Sequence, residues 1–261
     1  MKCLKHKIEA SHAYVLPLSD MHIGDKNFDK KKLEGYLDWV KKTKNARIFL
    51  NGDVLNLATN VSVSSTFDQN MDLTKQLEMA IELFKPVKDK IIGAITGNHE
   101  ARMESFCGYN PLIPFCAALG IPYLGYSAIV AVKVVPGKWK DPKKKDGVSQ
   151  TYTFYFHHTT GGGGHTVGGK INRVELLKKL VDNCDVYVGS HNHQLAVVPV
   201  ESRHYNERGN RIDKQRQLLV DTGSFLKWDN SYAERMQLPP AKLGAVRIRL
   251  DGTKKDLHCD L

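Results

Sequence analysis

The chain has 261 residues, 41% hydrophobic and 25% charged, enough for one substantial buried core in a globular fold. Its five cysteines are odd in number, scattered and never in a C-x-x-C pair, so neither a disulfide framework nor a thiolate zinc site is suggested. A formal net charge of +10 favours an acidic partner such as nucleic acid, a nucleotide or a phosphorylated ligand, and no apolar run approaches the roughly 18 residues of a membrane helix.

The opening "MKCLKHKIEASH" lacks the apolar core of a signal peptide, so a cytoplasmic location is expected. "AYVLPLSD" then reads as a short buried strand ending at Asp20, and "ARIFLNGD" as a second ending at Asp53. Between them "FDKKKLEGYLDWVKK" spaces Phe28, Leu33, Tyr36, Leu37 and Val40 as a helix does, completing a β-α-β unit. After the polar segment "NLATNVSVSSTFDQN", the stretch "MDLTKQLEMAIELFKPVKDK" puts Leu73, Leu77, Ala80, Ile81 and Phe84 on one helical face. A further strand, "KIIGAIT", runs into "GNHE". Three apolar strands thus end in polar clusters, and in open α/β sheets ligands sit beyond the carboxyl ends of strands, so the clusters are expected to share one edge.

Beyond a loop with Pro111 and Pro114 come the strand-like "SAIVAVKVV" and "QTYTFYFHH", separated by a lysine-rich hairpin excursion over residues 136–150. The lysine runs at 30–32, 41–44 and 138–145 read as solvated faces. "GGGGHTVGGK" opens a helix, "DVYVGSHNH" is the next strand and its exit, and "LAVVPVES", "RQLLVDTGSF" and "LGAVRIRLDG" alternate as antiparallel strands. No internal repeat interrupts residues 1–261, read as a single domain.

The strand exits carry Asp20 and His22, Asp53, Asn98 and His99, His157 and His158, and His191 and His193. This mixture of carboxylate, carboxamide and imidazole suits Mn, Fe, Zn or similar divalent ions, and the count is enough for two. Any one fragment alone is a turn former or helix cap. Together, "DMH" at 20–22, "GD" at 52–53, "GNHE" at 97–100, "HH" at 157–158 and "GSHNH" at 189–193 resemble the calcineurin-like metallophosphoesterases, with "DTGSF" similar to that family's turn after its last motif.

The resemblance implies an α/β fold, a four-layer α/β/β/α sandwich of mixed β-sheets flanked by helices. It implies that Asp20, His22 and His193 hold one metal, that Asn98, His191 and either His157 or His158 hold the second, and that Asp53 bridges them. Two such cations polarise a phosphoryl oxygen and lower the pKa of a water between them. Mn²⁺ is the favoured ion, with Fe, Zn, Ni or Mg as alternatives. His99 would protonate the leaving oxygen, with Glu100 or Asp20 orienting its imidazole. Strand parity does not separate His157 from His158, because "YTFYF" shows no alternation. Ser190 stands between the glycine and the first histidine, where the family pattern has no residue.

"GHTVGGKI" over 164–171 nearly meets the phosphate-loop pattern but ends in Ile171, which has no hydroxyl to hold magnesium, so a nucleoside-triphosphatase is disfavoured. A helix starting near Gly169 would offer N–H groups to a phosphate, with His165, Lys170 and Arg173 as candidate substrate contacts. Arg102 and Asn56 are further substrate candidates. The expected activity is metal-dependent hydrolysis of a nucleic-acid or nucleotide phosphodiester by attack of metal-bound hydroxide. The alternatives are a phosphomonoesterase or protein phosphatase, suggested by the Glu in "GNHE" but lacking arginine motifs after "GD", and an inactive nucleic-acid-binding scaffold.

Overall fold

The computed structural model describes all residues except 60, 61, 63–65, 138–147 and 162–165. In chain order the elements are β1 (Lys2–Glu9), β2 (His12–Leu18), α1 (Lys30–Lys42), β3 (Ala46–Leu50), α2 (Leu73–Phe84), β4 (Ile91–Ala94), α3 (Asn98–Cys107), α4 (Leu112–Leu119), β5 (Ser127–Val135), β6 (Gln150–His157), α5 (Val167–Leu176), β7 (Val186–Gly189), β8 (Leu195–Asn206), β9 (Arg211–Thr222), α6 (Tyr232–Arg235), β10 (Arg247–Asp251) and β11 (Leu257–Asp260). They form a five-stranded sheet, β11-β10-β2-β3-β4, and a six-stranded sheet, β1-β5-β6-β7-β9-β8.

Period-2 alternation explains the layering. Along β2 and β3, Leu16, Leu18, Ile48 and Leu50 face a core shared with α1, α2 and α4, whereas Val15 and Phe49 face the other sheet. Along β6, β7 and β9, Phe154, Phe156, Val186, Val188, Leu218 and Val220 join that inter-sheet core, stacked through Phe49 on Phe156. The odd-parity residues Tyr155, Tyr187 and Leu219 pack instead against Val174 of α5 and Leu177. The result is helices, sheet, sheet and helix in four layers, the expected α/β/β/α sandwich.

Strands β2, β3 and β4 are mutually parallel, as are β6 and β7, so their carboxyl ends meet at one rim between the sheets. Aspartates cap the first two helices: Asp29 accepts from Lys32 N–H and Asp72 from Lys75 N–H, and no helix among the described residues is long and apolar enough to cross a membrane.

Several sequence expectations change. The chain start is a strand, β1, paired parallel with β5; its lysine-rich edge pattern hid it. The Pro111–Pro114 stretch is mostly helix, because Pro114 lies in the first turn of α4, where its missing N–H has no intrahelical partner to lose. β9 is antiparallel only to β8 and runs parallel to β7. The β8–β9 hairpin also extends to Asn206 and Arg211, well past its apolar portion, because cross-strand pairing sustains polar strands. β5 and β6 pair antiparallel, but residues 138–147 of the excursion between them lie outside the described residues.

Candidate metal centre

The loops leaving β2 and β3 are locked together by backbone. Met21 and His22 N–H both donate to the Asp53 carbonyl, and Ile23 N–H donates to that of Val54. The "GD" and "GN" glycines are required by close approach: a Cβ on Gly97 would lie 2.2 Å from the Asp53 amide nitrogen, and one on Gly52, whose φ is +88°, would lie 2.6 Å from the Gly97 backbone. Glu100, fully buried, accepts from the N–H groups of Asp53 (3.0 Å), Val54 (2.8 Å), Leu55 (3.2 Å) and Gly97 (3.0 Å). This carboxylate clamps the Asp53 loop to the start of α3. It does not orient the His99 imidazole, as the sequence suggested; that ring's Nδ1 faces the carbonyl of Asn56, which can only accept, so Nδ1 carries the proton. Burial and the charge of Asp53 push the Glu100 carboxyl up to about 7.

On this frame three groups of potential ligand atoms converge among the described residues: Asp20 with His22 and His193, His22 with Asp53 and His99, and Asp53 with His158 and His191. His193 Nε2 is 3.4 Å from Asp20 Oδ1 and 3.2 Å from His22 Nε2. On the other side, Asn98 Oδ1 lies 2.8 Å from both His158 Nε2 and His191 Nδ1. Between the two sets stands Asp53 Oδ2, 3.2 Å from His158 Nε2, 3.8 Å from His22 Nε2 and 3.9 Å from His99 Nε2.

Parity now separates the adjacent histidines. His158 continues the inter-sheet face of Phe154 and Phe156, whereas His157 lies on the face of Tyr155, and none of the three groups includes it. A shared backbone and side-chain arrangement orients the His158 ring. Its Nδ1 lies 2.8 Å from both the Asn51 carbonyl and Ser190 Oγ, while the serine hydroxyl donates to Asn51 O at 3.0 Å and accepts from Asn51 Nδ2 at 2.9 Å. The hydroxyl proton is thereby committed, Nδ1 is a donor, and Nε2 is the nitrogen that faces Asp53 and Asn98, with a lone pair to offer once the ring is neutral. Ser190, odd in the sequence, is a buried part of that orientation.

The site has the signature of a missing positive charge. Asp20 Oδ1 and Asp53 Oδ2 are buried without hydrogen-bond partners, and two imidazole Nε2 atoms face each other across 3.2 Å. Unpaired buried carboxylate oxygens carry a desolvation cost that a bound cation removes. Protons feel the same field. Burial opposes protonation of His158, but the charges of Asp53 and Asp20 outweigh it and push His158 up to about 10. Burial raises and the surrounding histidines more strongly lower the Asp53 carboxyl, leaving it well below the usual range. His22 is held well below its ordinary value by burial and by neighbouring His99. The residues present therefore fit divalent cations, with His22, His193 and Asp20 on one side, His158, His191 and Asn98 on the other, and Asp53 between.

A cavity of about 440 Å³ opens over the cluster, lined by His22, Asp53, Asn98, His99, His191 and His193 and by the substrate candidates Asn56, Arg102 and Lys170. Asn56 is buried with its Nδ2 unpartnered, and Arg102 reaches within 3.1 Å of His99 Nδ1. His165 lies outside the described residues. The Gly169 N–H, expected to face a phosphate, is bonded to the Thr166 hydroxyl at 3.1 Å, because α5 begins at Val167 with Thr166 as its cap. Three contributors stand outside the sequence motifs' ligand types: Asn51, bonded to Ser190, and Asn192 and the segment after Phe225, which line the cavity. Asn51 precedes "GD" and Asn192 separates the two histidines, so proximity to motifs was the available signal; nothing comparable marks residues 226–243.

Residues 14–195 match the family model described as calcineurin-like phosphoesterase. Among solved structures, the chain is similar at 12% identity to a conserved uncharacterized protein of Streptococcus pneumoniae TIGR4, a predicted phosphoesterase (TM-score 0.35, covering 92% of this chain and 82% of that one). It is similar at 11% identity to Vps29 of Chaetomium thermophilum (TM-score 0.42, 95% of each chain). It is also similar at 13% identity to the NAD nucleotidase of Haemophilus influenzae (TM-score 0.46), covering 97% of this chain and 50% of that one. No curated protein sequence matches the chain.

Proposed function

The chain belongs to the calcineurin-like phosphoesterase family, and from that premise we propose that it is a metal-dependent phosphodiesterase acting on nucleic-acid or nucleotide phosphodiesters. The observation that carries the metal-dependent part is the pair of orphaned, buried carboxylate oxygens, Asp20 Oδ1 and Asp53 Oδ2, inside a ring of imidazoles. In this proposal Asp20, His22 and His193 hold one cation, Asn98, His158 and His191 the other, and Asp53 both; His157 is not a ligand. When bound, two divalent cations, Mn²⁺ favoured, supply Lewis acidity toward a phosphoryl oxygen and make water nucleophilic near neutral pH.

The protein's own groups do the rest. Ser190 and Asn51 hold His158 in the tautomer that turns Nε2 inward. His99, fixed by the Asn56 carbonyl through Nδ1, directs an unprotonated Nε2 toward the cavity; once that nitrogen has taken up a proton from water in the cavity, it is the group placed to pass that proton to a leaving oxygen. Arg102 and Lys170 line the same cavity and neutralise phosphate charge, while the unpartnered Asn56 Nδ2 offers a neutral donor. The excess of positive charge supports the diester and nucleotide leaning.

The test is a chelator-reversible panel on the Mn²⁺-reconstituted protein: bis(4-nitrophenyl) phosphate, cyclic nucleotides, single- and double-stranded DNA and RNA, and phosphomonoesters. Turnover of diesters that stops with chelator and returns with metal is expected. Turnover of monoesters alone overturns the diester reading, and binding of metal without turnover of any ester overturns the enzymatic one.

A further inference from the structure

The cavity has a second side that no cation requires. Leu226, Trp228, Leu238, Pro239 and Leu243 line it together with the histidines and carboxylates, all half-buried. None belongs to the three hydrophobic cores among the described residues, and each contributes to the lining of the cavity.

The segment is nonetheless anchored to the loop that follows His22. Phe28 and Leu226 form a β-bridge, Lys227 N–H donates to the Asn27 carbonyl at 2.9 Å, and Arg235 pairs at 2.5 Å with Asp68, which also holds Lys26 at 2.6 Å. The Trp228 indole N–H is consumed by the Leu238 carbonyl at 2.7 Å, which leaves only apolar surface of that ring to meet a ligand. A long polyanion calls for cations tracking its backbone. Among the described residues lining this cavity, the Lys and Arg side chains are Arg102 and Lys170, and neither belongs to the 226–243 segment.

We infer that residues 226–243 form a substituent pocket that seats an aromatic or apolar group of the phosphoester, so that the preferred substrate is a small ester bearing such a group rather than an internal linkage of a long duplex. The inference rests on the phosphoesterase reading, because the phosphoryl group must lie at the cluster for its substituent to reach the wall. A cavity of about 440 Å³ with a polar end and an apolar side suits a small molecule with one charged head.

Phosphonates isolate the wall from the chemistry, since methylphosphonate and phenylphosphonate share one head group and cannot be hydrolysed. Calorimetric titration of the Mn²⁺-reconstituted protein is expected to show phenylphosphonate binding about tenfold tighter, equivalent to about 1.4 kcal/mol. In Leu238→Asn and, separately, Leu243→Asn, the preference is expected to fall below about threefold while methylphosphonate affinity stays unchanged. Equal affinity for both phosphonates in the parent protein overturns the pocket, as does a full preference retained in both variants. Binding of neither phosphonate by protein shown to hold Mn²⁺ overturns the phosphoesterase reading instead.

Discussion

The floor and the apolar wall of one cavity are held by the chain in opposite ways. On the floor, Asp20, His22, Asp53, His191 and His193 all adopt left-handed backbone, with φ of 49°, 48°, 51°, 78° and 53°. Each such residue costs on the order of 1–2 kcal/mol, and Asp and His are among the non-glycine types that enter this region most readily. That cost is offset by dense fixing: the Glu100 clamp, the Met21 and His22 bonds to Asp53, and Ser19 and the His191 N–H on Asp20 Oδ2. The wall segment has left-handed residues too, Asn230 and Gln237, and its hydrogen bonds are mostly local, such as the Trp228 indole on Leu238 O and Leu238 N–H on Ala233 O. It reaches distant residues through the Phe28–Leu226 bridge, Lys227 N–H on Asn27 O and the half-exposed Arg235–Asp68 pair. The lesson is that where ligand atoms from distant segments converge, long-range bonds fix the backbone, whereas the apolar surface is carried by a segment folded mainly on its own local bonds.

The contrast is most sharply broken at its centre. Asp53→Asn removes the charge shared by both halves of the floor, and turnover in the ester panel is expected to fall roughly 10³-fold, the scale of losing a group that stabilises developing charge. A loss under tenfold removes Asp53 from that role. Next, His158→Ala is expected to weaken Mn²⁺ binding by about 100-fold in equilibrium dialysis, whereas His157→Ala leaves it within about twofold. Equal losses in the two variants contradict the parity argument.

Glu100→Gln keeps the shape but replaces one acceptor oxygen by a donor facing backbone N–H groups. Urea unfolding of the metal-free protein is expected to show about 2–3 kcal/mol of lost stability, against less than about 0.5 kcal/mol for Met236→Ala, an exposed residue of the 226–243 segment. Ser190→Ala leaves Asn51 O as the remaining Nδ1 partner of His158, so Mn²⁺ affinity is expected to drop only about tenfold, with recovery in Ser190→Thr.

Acidity supplies the mildest test. Because His158 is pushed up to about 10 in the metal-free protein, its imidazole carries a proton at pH 7 that cation uptake must displace. The sign follows: metal binding releases a proton and tightens as pH rises toward that value. Titrations in buffers of different ionisation enthalpy measure it, and zero proton release at pH 7 contradicts the expected displacement.

Much of this was legible in the residue order. Apolar strands ending in Asp20, Asp53 and "GNHE" announced a shared rim, because parallel strands joined by helices must bring like ends together. Ligand types alone indicated a borderline divalent cation. The choice between His157 and His158 was hidden, since every residue of "YTFYF" is apolar enough for either face and only the packing of α5 against one side and the second sheet against the other assigns the parity. Glu100 was misread for a related reason: a carboxylate beside a histidine looks like its partner, while its actual bonds reach backbone N–H groups some 45 residues away in sequence.

What the sequence determined by itself was therefore the inventory: a rim of candidate metal-ligating side chains on an α/β frame, written as local motifs because the candidates follow closely on strand ends. Tertiary structure alone decided the assignments that depend on distant segments meeting. It chose the inward histidine, gave Ser190 its place behind His158, made Glu100 a clamp, and brought residues 226–243 over the cluster. Those are long-range contacts between groups whose one-dimensional neighbours carry no trace of them, and only the packing of two sheets face to face brings them within a few ångströms.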